Sequence, residues 1–178
     1  VSGRSSVWSL SSPTSGIYKS TDGGTSWEAS LLFENGFIGD MVISTPNEWD
    51  TQYASIRGKG VYKSTDGGQT WTLSSSGISK FGRIELAVSP IDPNIIWASE
   101  ASGQLYISRN GAETWSLMGE VNEADDFNFL KQGSYDNAVM AHPFDSNKVY
   151  VAGVDIWEFT ATDSKKNSKV FDIENNGS

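Results

Sequence analysis

Gly16-Ile17-Tyr18-Lys19-Ser20-Thr21-Asp22-Gly23-Gly24-Thr25-Ser26-Trp27 returns 44 positions later as Gly60-Val61-Tyr62-Lys63-Ser64-Thr65-Asp66-Gly67-Gly68-Gln69-Thr70-Trp71. A third, more divergent copy runs from Gln104 to Trp115 after another 44, with Asn110 in place of Asp and Ala112 in place of Gly. A second motif keeps the same phase. Met41 through Tyr53-Ala54 lines up without a gap on Glu85 through Trp97-Ala98, and Asn137 through Val151 is a third copy displaced by 53 positions. The additional residues of that third unit fall in the segment 120–132. Self-similarity at this period marks a tandem array whose units bury their faces only against one another.

Within each unit the apolar runs are short and β-rich, as in Ile84 to Val88 and Ile95 to Ala98, and Asp-Gly, Asn-Gly or Pro-x-Asp-Pro-Asn turns separate them. Aromatic residues reach 12% of the chain and glycines number 18, the balance expected of many strands joined by tight turns. The prediction is an all-β chain: a β-propeller of four-stranded antiparallel blades. About four blades are present, as units 1–33 (lacking its first strand), 34–78, 79–120 and 133–174, with an inserted loop at 120–132. The second strand of the first unit is expected at Ser6 to Ser9, and Trp8 is expected to take the inter-blade place of Tyr53, Trp97 and Tyr150. The array is read as part of a larger propeller.

The pattern Ser-x-Asp-x-Gly-x-Thr-Trp resembles the Asp-box, or bacterial neuraminidase repeat. That repeat occurs in sialidases, in xyloglucan-cleaving enzymes of glycoside hydrolase family 74, in sortilin-type receptor domains and in photosystem II assembly factors. Its residues here are Ser20, Asp22, Gly24 and Trp27, then Ser64, Asp66, Gly68 and Trp71, then Ser108, Asn110 and Trp115. The resemblance implies a hairpin between the third and fourth strands in which the Asp accepts backbone N–H bonds and the Trp packs against neighbouring strands. These carboxylates are accordingly read as structural. The fourth unit, after Ile156-Trp157-Glu158-Phe159, has lost the motif. Trp49 alone has no place in the repeat.

Ligand sites of propellers gather on loops entering the innermost strands and on hairpins between the second and third strands. Those loops supply Asp40, Glu85, Asp136 and Asp155 as candidate catalytic carboxylates. Arg57, Arg83, Tyr135, Phe127 and Phe129 are the candidate ligand-binding residues, with Lys59 and Glu100 on the same hairpins. Gly39, Arg83 and Asp136 fall on one repeat position and differ in charge. Glu123, Asp125 and Asp126 in the insertion are read as a solvated acidic loop rather than a calcium site, and neither metal nor cofactor is expected.

The sialidase resemblance implies an arginine clamp on the substrate carboxylate, yet the chain has only Arg4, Arg57, Arg83 and Arg109, the last inside a box turn, so sialidase chemistry is not expected. Family 74 enzymes place their two catalytic Asp residues on separate propellers, which a chain of 178 residues does not accommodate. There is no Cys and one His, His142, which removes thiolate chemistry and leaves a serine triad resting on a single residue. A net charge of −9 opposes nucleic-acid binding, and no apolar run reaches the roughly 18 residues of a membrane span. The expectation is a secreted or cell-surface bacterial binding scaffold for carbohydrate or protein, with further blades as neighbours. Part of a glycoside hydrolase, or an assembly or receptor module, are the alternatives.

Overall fold

The computed structural model describes residues 2–4, 15–45, 48–120, 133–153, 156–161 and 167–171, and among them there are only strands and turns. The first sheet contains β1 (Ser2–Arg4), β2 (Ser15–Lys19) and β3 (Glu28–Phe33). The second contains β4 (Ile38–Thr45), β5 (Glu48–Ile56), β6 (Gly60–Ser64) and β7 (Thr72–Leu73). In the third lie β8 (Ile84–Val88), β9 (Ile96–Glu100), β10 (Gln104–Ser108) and β11 (Ser116–Glu120). The fourth is built of β12 (Ala138–Ala141), β13 (Lys148–Ala152), β14 (Ile156–Thr160) and β15 (Asn167–Phe171). Every sheet is an antiparallel meander in chain order, so the fold is a run of propeller blades.

Successive sheets meet face to face, and the leading strands converge: β4 packs on β8, and β8 on β12. Between the second and third sheets lie Tyr53, Val61, Ile84, Leu86, Ile96 and Tyr106, all nearly or fully buried. Between the third and fourth, Ala87, Ile95, Trp97, Leu105 and Ile107 face Ala141, Val149, Val151 and Phe159. Strand alternation makes this possible, because odd and even residues of each strand serve opposite junctions. Each fully buried large side chain contributes about 1.5–3 kcal/mol, so the junctions, and not the isolated sheets, supply most of the stability.

The structure departs from the repeat phase in two places. In the first sheet, β2 pairs with Ser2–Arg4 (Ile17 opposite Ser2) and not with the expected strand at Ser6 to Ser9. Residues 5–14, including Trp8, lie outside the described residues. The tight hairpin of the second sheet turns through Gly58 at φ 81°.

The second departure is in β4. Met41 pairs with Ala54, but Leu86, not Glu85, pairs with Ala98, so the gap-free alignment is off by one residue in the leading strand. Irregularities at Ile38/Asp40 and Ile43/Thr45 absorb the slip. Asp40 and Glu85, opposite Ser55 and Ser99, are therefore the equivalent pair, and Gly39 is the residue at the bulge. A side chain on Gly39 would meet Ser55 Oγ at 2.6 Å and Ile84 O at 3.0 Å. Close approach of β4 to β8 is what requires glycine there, which removes Gly39 from the set of ligand-facing repeat positions.

Candidate functional site

The repeated hairpins are closed by their own side chains. Asp66 Oδ1 accepts the N–H groups of Gln69 and Thr70 at 2.9 Å and the Ser64 hydroxyl at 2.8 Å, while Oδ2 accepts the Thr70 hydroxyl at 2.6 Å. Asp22 repeats this with Ser26 and Ser20. Such donors stabilise the anion. Hydrogen bonds from Ser26 and Ser20 lower the Asp22 carboxyl to about 2, and those centred on Thr70 hold Asp66 lower still. Asn110 rebuilds the same turn without charge, its Oδ1 accepting Thr114 N at 3.0 Å and its Nδ2 donating to Thr114 Oγ1 at 2.8 Å. Ala112, the divergent residue of that copy, takes the left-handed φ of 66°. All four carboxylate oxygens of Asp22 and Asp66 accept hydrogen bonds that close their own turns.

The opposite ends of the sheets form a rim joined through the main chain. Arg57 N donates to Phe37 O at 2.8 Å, Gly58 N to Phe81 O at 2.7 Å, and Ala101 N to Arg83 O at 2.8 Å. The hairpins between second and third strands of the second and third sheets are thereby tied to loops entering leading strands. The Arg83 side chain carries the tie onward: Nε meets Glu85 Oε1 at 2.6 Å, and Nη1 donates to Ser134 O at 3.1 Å and Tyr135 O at 2.9 Å. Arg83 thus fixes the loop that presents Tyr135, whose ring is 83% exposed.

The candidate carboxylates are placed as follows. Asp40 accepts Met41 N at 2.7 Å and reaches across to Leu86 N at 2.9 Å, locking β4 to β8. Glu85 is pushed up, first by burial and then by the neighbouring Asp40 charge, against the lowering influence of Arg83. Glu100 is buried and caps its own hairpin, accepting Gly82 N at 3.1 Å and Ser102 N at 2.8 Å. Asp136 is exposed. Asp155, Phe127, Phe129 and the insertion carboxylates Glu123, Asp125 and Asp126 lie outside the described residues. Among the described residues no group of three or more His, Cys, Asp or Glu side chains is arranged to hold a metal.

Two rim residues escape motif reasoning. Phe37 and Phe81, exposed at the same end as Tyr135, put an aromatic ring on the entering loop of three successive sheets. The signal was in the sequence: Phe37 and Phe81 lie 44 positions apart, in the strict repeat phase, while Tyr135 follows Phe81 by 54, one more than the displacement of its unit. Arg57 stands exposed beside them.

A family model for Sortilin-Vps10 ("Sortilin, neurotensin receptor 3") matches residues 15–175. No curated protein matches the chain. Among solved structures, an ancestral glycoside hydrolase family 74 enzyme superposes with a TM-score of 0.60 at 20% identity over 83% of this chain. YCF48 from Cyanidioschyzon merolae follows with a TM-score of 0.58 at 14% identity over 80%. A structure described as YCF48 bound to D1 peptide gives 0.54 at 14% over 75%. At these identities the likeness is one of fold. The chain spans 21% of the length of that enzyme and 39% of each YCF48 chain.

Proposed function

That the chain belongs to the Sortilin-Vps10 family is the premise from which we propose that it is a binding module whose rim takes a protein segment. The observation carrying this reading is the row of exposed aromatics, Phe37, Phe81 and Tyr135, presented on loops that main-chain bonds and Arg83 hold rigid. Aromatic rings beside arginine, pre-ordered before the partner arrives, are what a protein contact uses most effectively. The peptide bound to YCF48, a protein of similar fold, supports the same direction. In this reading the module is secreted or on a bacterial cell surface, as its Asp-box resemblance implies, with further blades as neighbours.

Selection of a displayed peptide library on the chain tests it. Selected peptides are expected to bind with Kd of about 1–100 μM and to lose roughly tenfold on Tyr135→Ala or Phe37→Ala, each ring costing about 1–2 kcal/mol. Peptides indifferent to both substitutions would sink the reading.

A second reading, part of a glycoside hydrolase, rests on Asp40 and Glu85 at equivalent places on adjacent strands, with Glu85 raised as a proton donor requires. Release of reducing sugar from a β-glucan, abolished by Glu85→Gln, is its test. Both Asp40 oxygens already hold backbone N–H groups, which favours the first reading.

A further inference from the structure

On the opposite side from the rim, the junction of the first and second sheets breaks the repeat in two coupled ways. The β4/β5 ladder runs out to Thr45 opposite Glu48, whereas the equivalent ladders stop at Val88 opposite Ile96 and at Ala141 opposite Val149. Trp49 rides on that extension with 63% of its surface exposed. Gln52 occupies the place that Ile96 and Val149 fill in the later sheets, both of them fully buried. Its carboxamide Nε2 donates to Trp49 O at 2.8 Å. An amide where the later junctions bury an aliphatic side chain costs packing, and here it bonds the backbone of the residue that displays the indole.

Between the two sheets lies an open groove of about 690 Å³ lined by Trp49, Trp27, Tyr18, Gln52, Asp50 and Lys19, among others. Trp27 lines the same groove, and its Nε1 bonds to Gly24 O of its own hairpin at 3.1 Å. Two accessible indoles thus flank a floor of amide and carboxylate groups.

We infer that this groove binds a neutral carbohydrate chain, with Trp49 and Trp27 as stacking platforms and Gln52 as the residue that positions Trp49. Sugar rings present C–H faces to an indole and hydroxyl edges to groups such as Asp50 and Gln52, the combination this groove offers. A net charge of −9, with Asp50 and Asp66 at the groove, disfavours acidic sugars. The site is on the hairpin side and independent of the rim reading.

The whole chain is titrated with cellohexaose, maltohexaose and mannohexaose, and with hexagalacturonate as the acidic comparator, following tryptophan fluorescence and heat. At least one neutral hexasaccharide is expected to bind with Kd of about 10 μM to 1 mM. Trp49→Ala weakens it about tenfold or more without moving Tm, because the ring is exposed. Gln52→Ile, which restores the residue type of the other junctions, is expected to weaken binding about three- to tenfold while keeping or raising Tm, an effect a merely structural glutamine would reverse. Absence of binding by all three neutral sugars at about 10 mM, unchanged affinity in Trp49→Ala, or preference for hexagalacturonate each overturns the inference.

Discussion

Trp71 Nε1 donates a 2.8 Å hydrogen bond to Ser30 Oγ on the preceding sheet, and Ser30 Oγ in turn donates to Gly68 O in the Trp71 hairpin. One hydroxyl therefore satisfies both ends of the turn that docks on it. The arrangement recurs one unit later: Ser74 Oγ donates to Ala112 O and Trp115 Nε1 to Ser74 O at 2.8 Å. Lys63 adds a second clasp, its Nζ bonding Gly111 O at 2.8 Å. The positions that follow in phase are Met118 and Ile107, both turned to the apolar junction with the fourth sheet. The fourth unit lacks the Asp-box sequence, and Ala161 N reaches Asn147 O at 2.7 Å, as Gly111 N reaches Asn94 O at 2.9 Å. The serine and lysine are present where the next unit carries the motif and are replaced by apolar side chains where its sequence has lost it.

Ser30→Ala and Ser74→Ala should differ, although they occupy one repeat position. The first strands the Trp71 indole N–H, whereas the second leaves Trp115 bonded to a backbone oxygen and removes only the hydroxyl bond. Urea denaturation is expected to show a loss of about 1–2 kcal/mol for Ser30→Ala and about half that for Ser74→Ala. Equal losses, or the reverse order, would contradict the clasp.

Acid should dismantle the hairpins late. A carboxyl lowered from 3.8 to about 2 in the folded state, as in Asp22, stabilises the fold fully above its unfolded value and loses that contribution as pH falls through about 2. Asp66, lower still, extends the loss to more acid pH. The Asp22→Asn/Asp66→Asn variant is expected to fold, since Asn110 already builds the same turn, and to show a flatter dependence of stability on pH below about 4. Acid titrations of both proteins followed by circular dichroism decide it, and coincident curves would refute the assignment.

The outer face of the fourth sheet is chemically unlike that of the third. Trp97 opposite Ile107, beside Ile95, becomes Tyr150 opposite Glu158, beside Lys148, and Lys148 Nζ meets Glu158 Oε1 at 3.0 Å. The lysine hydrogen bond lowers Glu158 and raises Lys148, so the pair is charged at neutral pH. Replacing both by isoleucine would recreate the apolar pattern of the third sheet on a face that already exposes Met140 and Ile156. The Lys148→Ile/Glu158→Ile protein is expected to self-associate at micromolar concentration, seen by light scattering, where the parent does not. An unchanged mass would show that charge on this face plays no part in keeping it apart.

The blade architecture was legible in the sequence because it is written at short range. Ser64, Asp66, Gly68 and Thr70 close their hairpin through bonds spanning two to four residues, so their spacing alone announces the turn. Even the substituted copy is readable this way, since Asn110 and Ala112 keep the bonding pattern. The strand order and the shared aromatic positions follow from the period.

What only the tertiary structure decided are the relations across junctions, where side-chain partners lie 29 to 52 residues apart and no spacing rule couples them. Asp40 and Glu100 look like rim carboxylates in the sequence, but the folded chain turns one into a tie between β4 and β8 and the other into a hairpin cap. The one-residue slip at Gly39 is invisible in an alignment without gaps, because it arises from how closely two backbones must approach. Trp27, Trp71 and Trp115 are one motif residue in the sequence. In three dimensions Trp71 and Trp115 each dock on a serine of the sheet before them, a relation no spacing rule announces.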